Sequence, residues 1–435
     1  MVGGVRSAWI HGAGALALVG YGVLGFHADR PEARPWLLLA TLLGWLTIAA
    51  VAWFARKSPP TRLAVIGWAV AFRLTGLGTE PSWEDDYYRY LWDGYQTVST
   101  GDPYGRAPMD SFGDEGNLPD SVVDALDLIN HPELRTVYGP VAQGCFAIAA
   151  WFGVGSLLVW KCGLVVLELA GWFWLSKQVS WRVGLLLWWC PLAVTEIAFA
   201  GHVDGVGVAA LALAVSAWQR GRERGAVVGM AFAAGTKVLG AVLLPFIACR
   251  FGMKAALAAF GIILAFYLPF LVQGSWVGLD VLRVMSASFE YNSTGFALLR
   301  GIMADAHARG VAAVLVLLFA FGCWWRWWRA GNLAAAPPLA AIFGGLFLWS
   351  PVFNPWYALW LLPGWAIRPS AWGIGVLVAV PLTYAHGWGD AGGATASYMH
   401  PGWVRPAEGV VFLLVVLTAY LWKRRKAGDK NAATD

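Results

Sequence analysis

Between Glu84 and Asp93 the chain sets carboxylates at positions 84, 85, 86 and 93 around one arginine, Arg89, and three tyrosines. Helical spacing puts Asp86, Arg89, Tyr90 and Asp93 on one face, with Tyr87, Leu91 and Gly94 beside them. Such a face can take a proton from an attacking hydroxyl and can neutralise a departing phosphate, the two needs of group transfer from a phosphate to an acceptor oxygen. Asp86, first on the face, is the candidate base, with Asp85 beside it as the alternative. Arg89 and Lys237, the latter in the interrupted stretch Gly235-Thr236-Lys237, are the candidate partners of the phosphate.

A second group of polar residues stands apart in sequence. Glu196, His202 and Asp204 flank a turn between two apolar runs, and Asn292 and Asn354 fall between later ones. Carboxylate and imidazole are ordinary metal ligands, yet no short ligand motif is present, and sugar or acceptor hydroxyls or helix-packing hydrogen bonds would suit the same groups. Glu84, Asp85 and Asp86 could also hold a divalent cation, but no metal or other cofactor is expected. Trp83, Tyr88, Trp356 and Tyr357 could stack on sugar rings, or sit in an interfacial aromatic belt. The five cysteines, Cys145, Cys162, Cys190, Cys249 and Cys323, lie singly in apolar segments, which indicates neither disulfides nor zinc.

These residues must be positioned by membrane helices. With 58% hydrophobic and 13% charged residues, the composition is that of a polytopic membrane protein, and runs approaching the roughly 20 residues of a membrane span recur along the chain. The first run has no convincing cleavage site and reads as a helix, not a removed leader. Basic residues cluster at helix ends, as in cytoplasmic loops, and not as a nucleic-acid groove. With those clusters inside, helices near 8–27, 36–55 and 62–77 deliver residues 78–136 to the outside, a loop holding 13 of the 26 acidic residues against three Arg. The run Tyr138 to Phe152 is too short for a full crossing and reads as a juxtamembrane helix. Residues 226–249, interrupted before a lysine, read as a re-entrant hairpin. Further spans near 156–176, 182–199, 202–218, 255–273, 307–325, 335–352, 355–367, 371–386 and 406–422 make about 12, with both termini inside. No internal repeat or linker divides residues 1–435, so the chain reads as one all-α membrane domain.

The order of these motifs resembles the GT-C superfamily of integral-membrane glycosyltransferases, in particular the bacterial polyprenol-phosphate-mannose-dependent α-mannosyltransferase-like family. Asp86-Tyr87-Tyr88-Arg89-Tyr90 resembles the first-loop pattern whose Asp is the catalytic carboxylate. Gly101 to Gly105 and Ile129 to Gln143, including Tyr138, resemble the rest of that loop and its juxtamembrane helix. Gly201-His202-Val203-Asp204, the stretch ending in Lys237, Phe289-Glu290-Tyr291-Asn292 and Asn354-Pro355-Trp356-Tyr357 resemble later elements, all within about residues 78–365. The resemblance implies a polyprenyl-phosphate sugar donor, mannose first, inversion at the anomeric carbon and no essential metal; a glycan or lipid is the expected acceptor. It also implies a multi-pass protein of the bacterial inner membrane, active on the periplasmic face. Tyr90, Asp93, Tyr138, His202, Asp204, Asn292, Asn354, Trp356 and Tyr357 become the expected substrate contacts.

A transporter or flippase of lipid-linked sugars is the alternative. Transporters are often built from repeated halves around a midplane site, whereas here half of the acidic charge lies in one loop. No glycine-rich phosphate loop opens a helix at a cytoplasmic end, which argues against a nucleotide-sugar donor.

Overall fold

The structure is a computed structural model that describes residues 2–28, 33–81, 84–275, 278–385 and 401–431. Among these residues there are helices and connecting loops and no strand; an isolated bridge pairs Tyr291 with Val352. The chain is an all-α polytopic membrane protein.

Helix α1 (Val2–His27) pairs with α2 (Ala33–Phe54), and α3 (Arg62–Leu77) returns along α1. The Thr61 side chain accepts from the Ala64 N–H and so caps the start of α3. The acidic segment follows, with α4 (Asp86–Thr100) and α5 (Asp120–Leu128), and then α6 (Pro140–Phe152), which lies along α4. After α7 (Leu157–Ser176), α8 (Trp181–Trp189) is interrupted at Pro191 and continues as α9 (Pro191–Ala193) and a π-helical turn, Val194–Phe199. Helices α10 (Asp204–Gln219), α11 (Glu223–Thr236), α12 (Leu244–Phe251) and α13 (Met253–Val272) come next. Two short helices, α14 (Leu279–Ser288) and α15 (Gly295–Arg300), precede α16 (Asp305–Arg329), α17 (Leu339–Trp349), α18 (Leu361–Ile367), α19 (Ala371–Ala379) and α20 (Val404–Asn431).

The sequence predicts about 12 crossings of roughly 20 residues; seven helices among the described residues are long and apolar enough. Several of the other expected spans, such as α10 and α17, are shorter and lie mostly buried inside the bundle. The segment Trp181–Phe199 is its buried axis. By contrast Met253–Val272, Asp305–Arg329 and Val404–Leu421 keep most of their apolar surface bare, as helices facing lipid do. One ion pair fixes the interior: the Arg73 guanidinium donates to Glu168 Oε2 at 2.6 Å and to the carbonyls of Ala69 and Trp188, while Trp172 donates to Glu168 Oε1. Every charge there is hydrogen-bonded, the condition for keeping such a pair buried.

Two local features aim the bundle at one end. At Lys237 the chain turns back, so that Phe251 at the end of α12 meets Trp218 at the end of α10 with ring centroids 5.1 Å apart. The hairpin tip therefore stands level with the start of α10. Helix α6 stays at that same end: Gly139 N–H donates to Thr236 O at 3.2 Å, and Gly155, beyond its far terminus, lies against Ser121. Its outer side carries Ile148, Trp151 and Phe152, all exposed, as expected of a helix half-sunk at an interface. At the opposite end the cations gather on aromatic rings, Lys177 on Phe173, Arg182 on Trp181 and Arg250 on Trp218. A cavity of ≈ 280 Å³ lies there too, beside Gln178, Ser180 and Gln219, far from the acidic segment.

Candidate active site

The first turn of α4 carries the central carboxylate. Asp86 accepts from the Tyr138 hydroxyl at Oδ2, 3.4 Å, and from Asn130 Nδ2 at Oδ1, 3.3 Å. The same Asn130 amide donates to Asp85 Oδ1 at 2.7 Å, so Asp85 is the more tightly held of the two neighbours. Asp86 is half-buried and opens toward α10 and the hairpin tip. Behind it Tyr90 is buried, stacked on Phe146 at 4.9 Å and meeting Tyr138 and Trp160 edge-on. Gly94 permits this packing, since a Cβ there would stand 2.5 Å from Phe146 O.

On one side of Asp86 lies a cationic corner. Lys237 Nζ contacts both oxygens of Asp204, at 3.0 and 2.9 Å, and sits 4.0 Å from the centre of the Tyr357 ring. Trp360 Nε1 donates to the same carboxylate at 2.6 Å. On the other side lies an acidic corner. His202 stacks on Trp356 with centroids 3.8 Å apart, and its Nδ1 is 2.7 Å from Glu196 Oε2; Glu196 also accepts from the Tyr384 hydroxyl. One ligand atom each from Glu84, Asp86 and His202 lie within 4.8 Å of one another, a grouping that could hold a metal ion. Glu84 is buried and its carboxyl is pushed well above the usual range, first by burial and then by Asp86, Asp85 and Glu196, with Arg34 opposing.

The structure thus gathers Tyr138, Lys237, Asp204, Tyr357, His202 and Trp356 around Asp86. Other expected contacts fall elsewhere. Arg89, expected at the phosphate, donates to the carbonyls of Leu134, Asn130 and His131 at 2.8 to 2.9 Å and so clamps the loop that carries Asn130. Asp93 is buried in the seam between α4 and α6, where Gln143 donates to it at 2.9 Å; burial pushes its carboxyl up to about 6. Asn292 takes a positive φ of 46° and donates to Glu408 on α20 at 3.3 Å. Asn354 caps the turn Pro355–Trp360 through its backbone, accepting from Tyr357 N–H. Tyr88 is part-buried against Tyr87, and Trp83 lies outside the described residues.

Sequence reading missed Arg34, Asn130, Tyr384 and Glu408. Arg34 and Glu408 did carry a signal, each being an ionisable residue near the end of an apolar run. Asn130 lay inside the stretch Ile129 to Gln143 but was not singled out within it, and Tyr384 carried no signal; only tertiary packing brings them to Asp86 and Glu196.

Residues 137–351 match the family model of Glycosyltransferase family 87. The matched stretch is just under half of the chain and contains Tyr138, His202, Asp204, Lys237 and Asn292, whereas Asp86 precedes it and Trp356 and Tyr357 follow it. No curated protein and no solved structure matches the chain. With the membrane-length helices, the family match supports a multi-pass membrane glycosyltransferase.

Proposed function

We propose, with a membrane glycosyltransferase as the premise, that the chain moves a hexose, mannose first, from a polyprenyl-phosphate donor to a hydroxyl acceptor. The observation that carries this reading is the position of Asp86. It is a half-buried carboxylate at a helix start, between the Lys237 corner and the His202 corner, at the end of the bundle opposite the basic helix ends. By the positive-inside rule that end is non-cytoplasmic, which in a bacterial inner membrane would be the periplasmic face.

In this mechanism the acceptor hydroxyl lies against Asp86, which takes its proton as the acceptor oxygen bonds to the anomeric carbon. The bond from that carbon to the phosphate oxygen breaks with its electron pair, and the configuration inverts. Lys237, fixed by Asp204 and Tyr357, faces the departing phosphate as a point charge. Tyr357 and Trp356 wall the sugar site, and the bare apolar faces of α6 and α13 suit a polyprenyl tail. Arg89 and Asp93 hold the loop and helix seam that present Asp86.

The test is transfer from radiolabelled polyprenyl-phosphate mannose in membranes containing the wild type or Asp86→Asn, with native lipids and glycans as acceptors. Transfer by the wild type and a loss of at least about 100-fold in the variant is expected for removal of a general base. Equal transfer by both would reject Asp86 as the base. Absence of transfer by a folded wild type would reject this donor and favour another lipid-phosphate sugar or a lipid-linked-sugar flippase.

A further inference from the structure

We infer that Glu84, Asp86 and His202 form a divalent-cation site, suited to Mn²⁺ or Zn²⁺, whose ion binds the acceptor hydroxyl. The binding claim stands on geometry; the acceptor's place in it rests on the transferase reading above.

Three ligand atoms within 4.8 Å of one another match a divalent ion, because donors on opposite sides of an ion with bonds of about 2.0 to 2.4 Å stand roughly 4 to 4.8 Å apart. The histidine is oriented as a ligand would be. Glu196 Oε2 holds Nδ1 at 2.7 Å, Tyr384 donates to Glu196, and Trp356 fixes the ring plane by stacking at 3.8 Å. With Nδ1 facing Glu196 Oε2, Nε2 is left to present its lone pair, as in the carboxylate–histidine arrangement that metal sites use to set the tautomer. His202 is 1% exposed, and both ring nitrogens are buried with no aligned hydrogen-bond partner among the described residues, Nδ1 having Glu196 Oε2 at 2.7 Å and Nε2 no such neighbour. A buried imidazole nitrogen left unmatched costs stability unless something fills the position.

Charge points the same way. Glu84 faces Asp85, Asp86 and Glu196, with Arg34 as the cation beside it, while Lys237 is already matched by Asp204. A divalent ion offsets the excess. Two carboxylate oxygens with one imidazole nitrogen favour Mn²⁺ or Zn²⁺ over Ca²⁺ or Mg²⁺, which prefer all-oxygen shells. An ion there makes the acceptor hydroxyl more acidic. Asp86 accepts in several directions and can bind the ion through one lone pair while taking the acceptor's proton with another. Electron flow in the transfer step is unchanged.

The test is calorimetric titration of the chelator-stripped, full-length protein in detergent with MnCl₂ and with ZnCl₂. We expect one ion per chain for the wild type, and affinity at least about tenfold lower in His202→Gln, Glu84→Gln and Glu196→Gln, the last through loss of ring orientation. Melting temperatures in the absence of metal identify any variant that fails to fold, and the remaining isosteric variants carry the comparison. No binding up to about 1 mM, or binding that none of the folded variants weakens, would overturn the site. The transfer assay separates the two proposals. Full transfer in chelator with no ion bound overturns the ion's place at the acceptor and leaves the transferase, whereas ion binding at these residues without transfer keeps the site and removes the proposed function.

Discussion

Lys237 and Asp204 form a two-point pair in which the ammonium is 22% exposed and the carboxylate 1%. That asymmetry sets the cost of breaking it. Lys237→Met strands a buried carboxylate with Trp360 as its remaining donor, and a loss of about 3 to 5 kcal/mol is expected. Asp204→Asn keeps an acceptor for Trp360 and leaves a lysine that reaches solvent and retains the Tyr357 face, so its loss should be about 1 to 2 kcal/mol. Chemical denaturation of both variants in one detergent checks the order; a costlier Asp204→Asn would show that Lys237 depends on the carboxylate more than the carboxylate depends on it.

Gly139 sets the approach of the α6 start to the hairpin tip. Its φ of −70° suits any residue, so the constraint is space: a Cβ would stand 2.2 Å from Gly235 O. Gly139→Ala must separate Tyr138 from the turn before Lys237, with an expected loss of about 1 to 3 kcal/mol and reduced transfer. Gly144, one turn on, has nothing within 4 Å of its added Cβ, and Gly144→Ala should be neutral or stabilising by about 0.5 to 1 kcal/mol. Thermal melting and transfer rates of the two variants, measured side by side, test whether this contact positions Tyr138.

How much of this was legible in the sequence depended on the range of the interaction. Helix positions followed hydrophobic runs, and the break before Lys237 followed from a lysine interrupting an apolar stretch, because both signals are local. The Lys237–Asp204 pair joins residues 33 apart and His202 rests on Trp356; the separate motifs were visible, but not which would touch. Arg89 shows the limit most clearly. Its spacing beside Asp86 suits a phosphate partner, yet its planar fork meets three loop carbonyls 41 to 45 positions away, and no local pattern announces that a loop will fold under a helix.

That fork makes Arg89 a sharp test of role. Lysine keeps the charge but places one ammonium where the guanidinium reaches three carbonyls. If the clamp is what matters, Arg89→Lys and Arg89→Gln should lose transfer to a similar degree, and limited proteolysis should cut within 130–135 more readily in both. Near-normal transfer by Arg89→Lys with loss in Arg89→Gln would instead mean that charge, and hence the phosphate, is what Arg89 serves.

Asp93 couples the α4–α6 seam to pH. Its carboxyl is raised from an ordinary 3.8 to about 6 by burial, against the opposing effects of Arg89, Gln143 and Thr136. A folded-state value above the unfolded one means that the folded protein binds the proton more tightly. The stabilising contribution is therefore complete below about pH 4 and disappears as pH rises through about 6. At about 1.4 kcal/mol per pKa unit, it amounts to about 3 kcal/mol. Asp93→Asn keeps an oxygen for the Gln143 amide and removes the titration, so the wild type should lose stability relative to the variant between pH 4 and pH 7. Because Glu84 and other acids titrate in both proteins, the difference between the two melting curves isolates Asp93. A difference that stays constant across that range would mean that Asp93 does not change protonation on unfolding, and that the seam tolerates its charge.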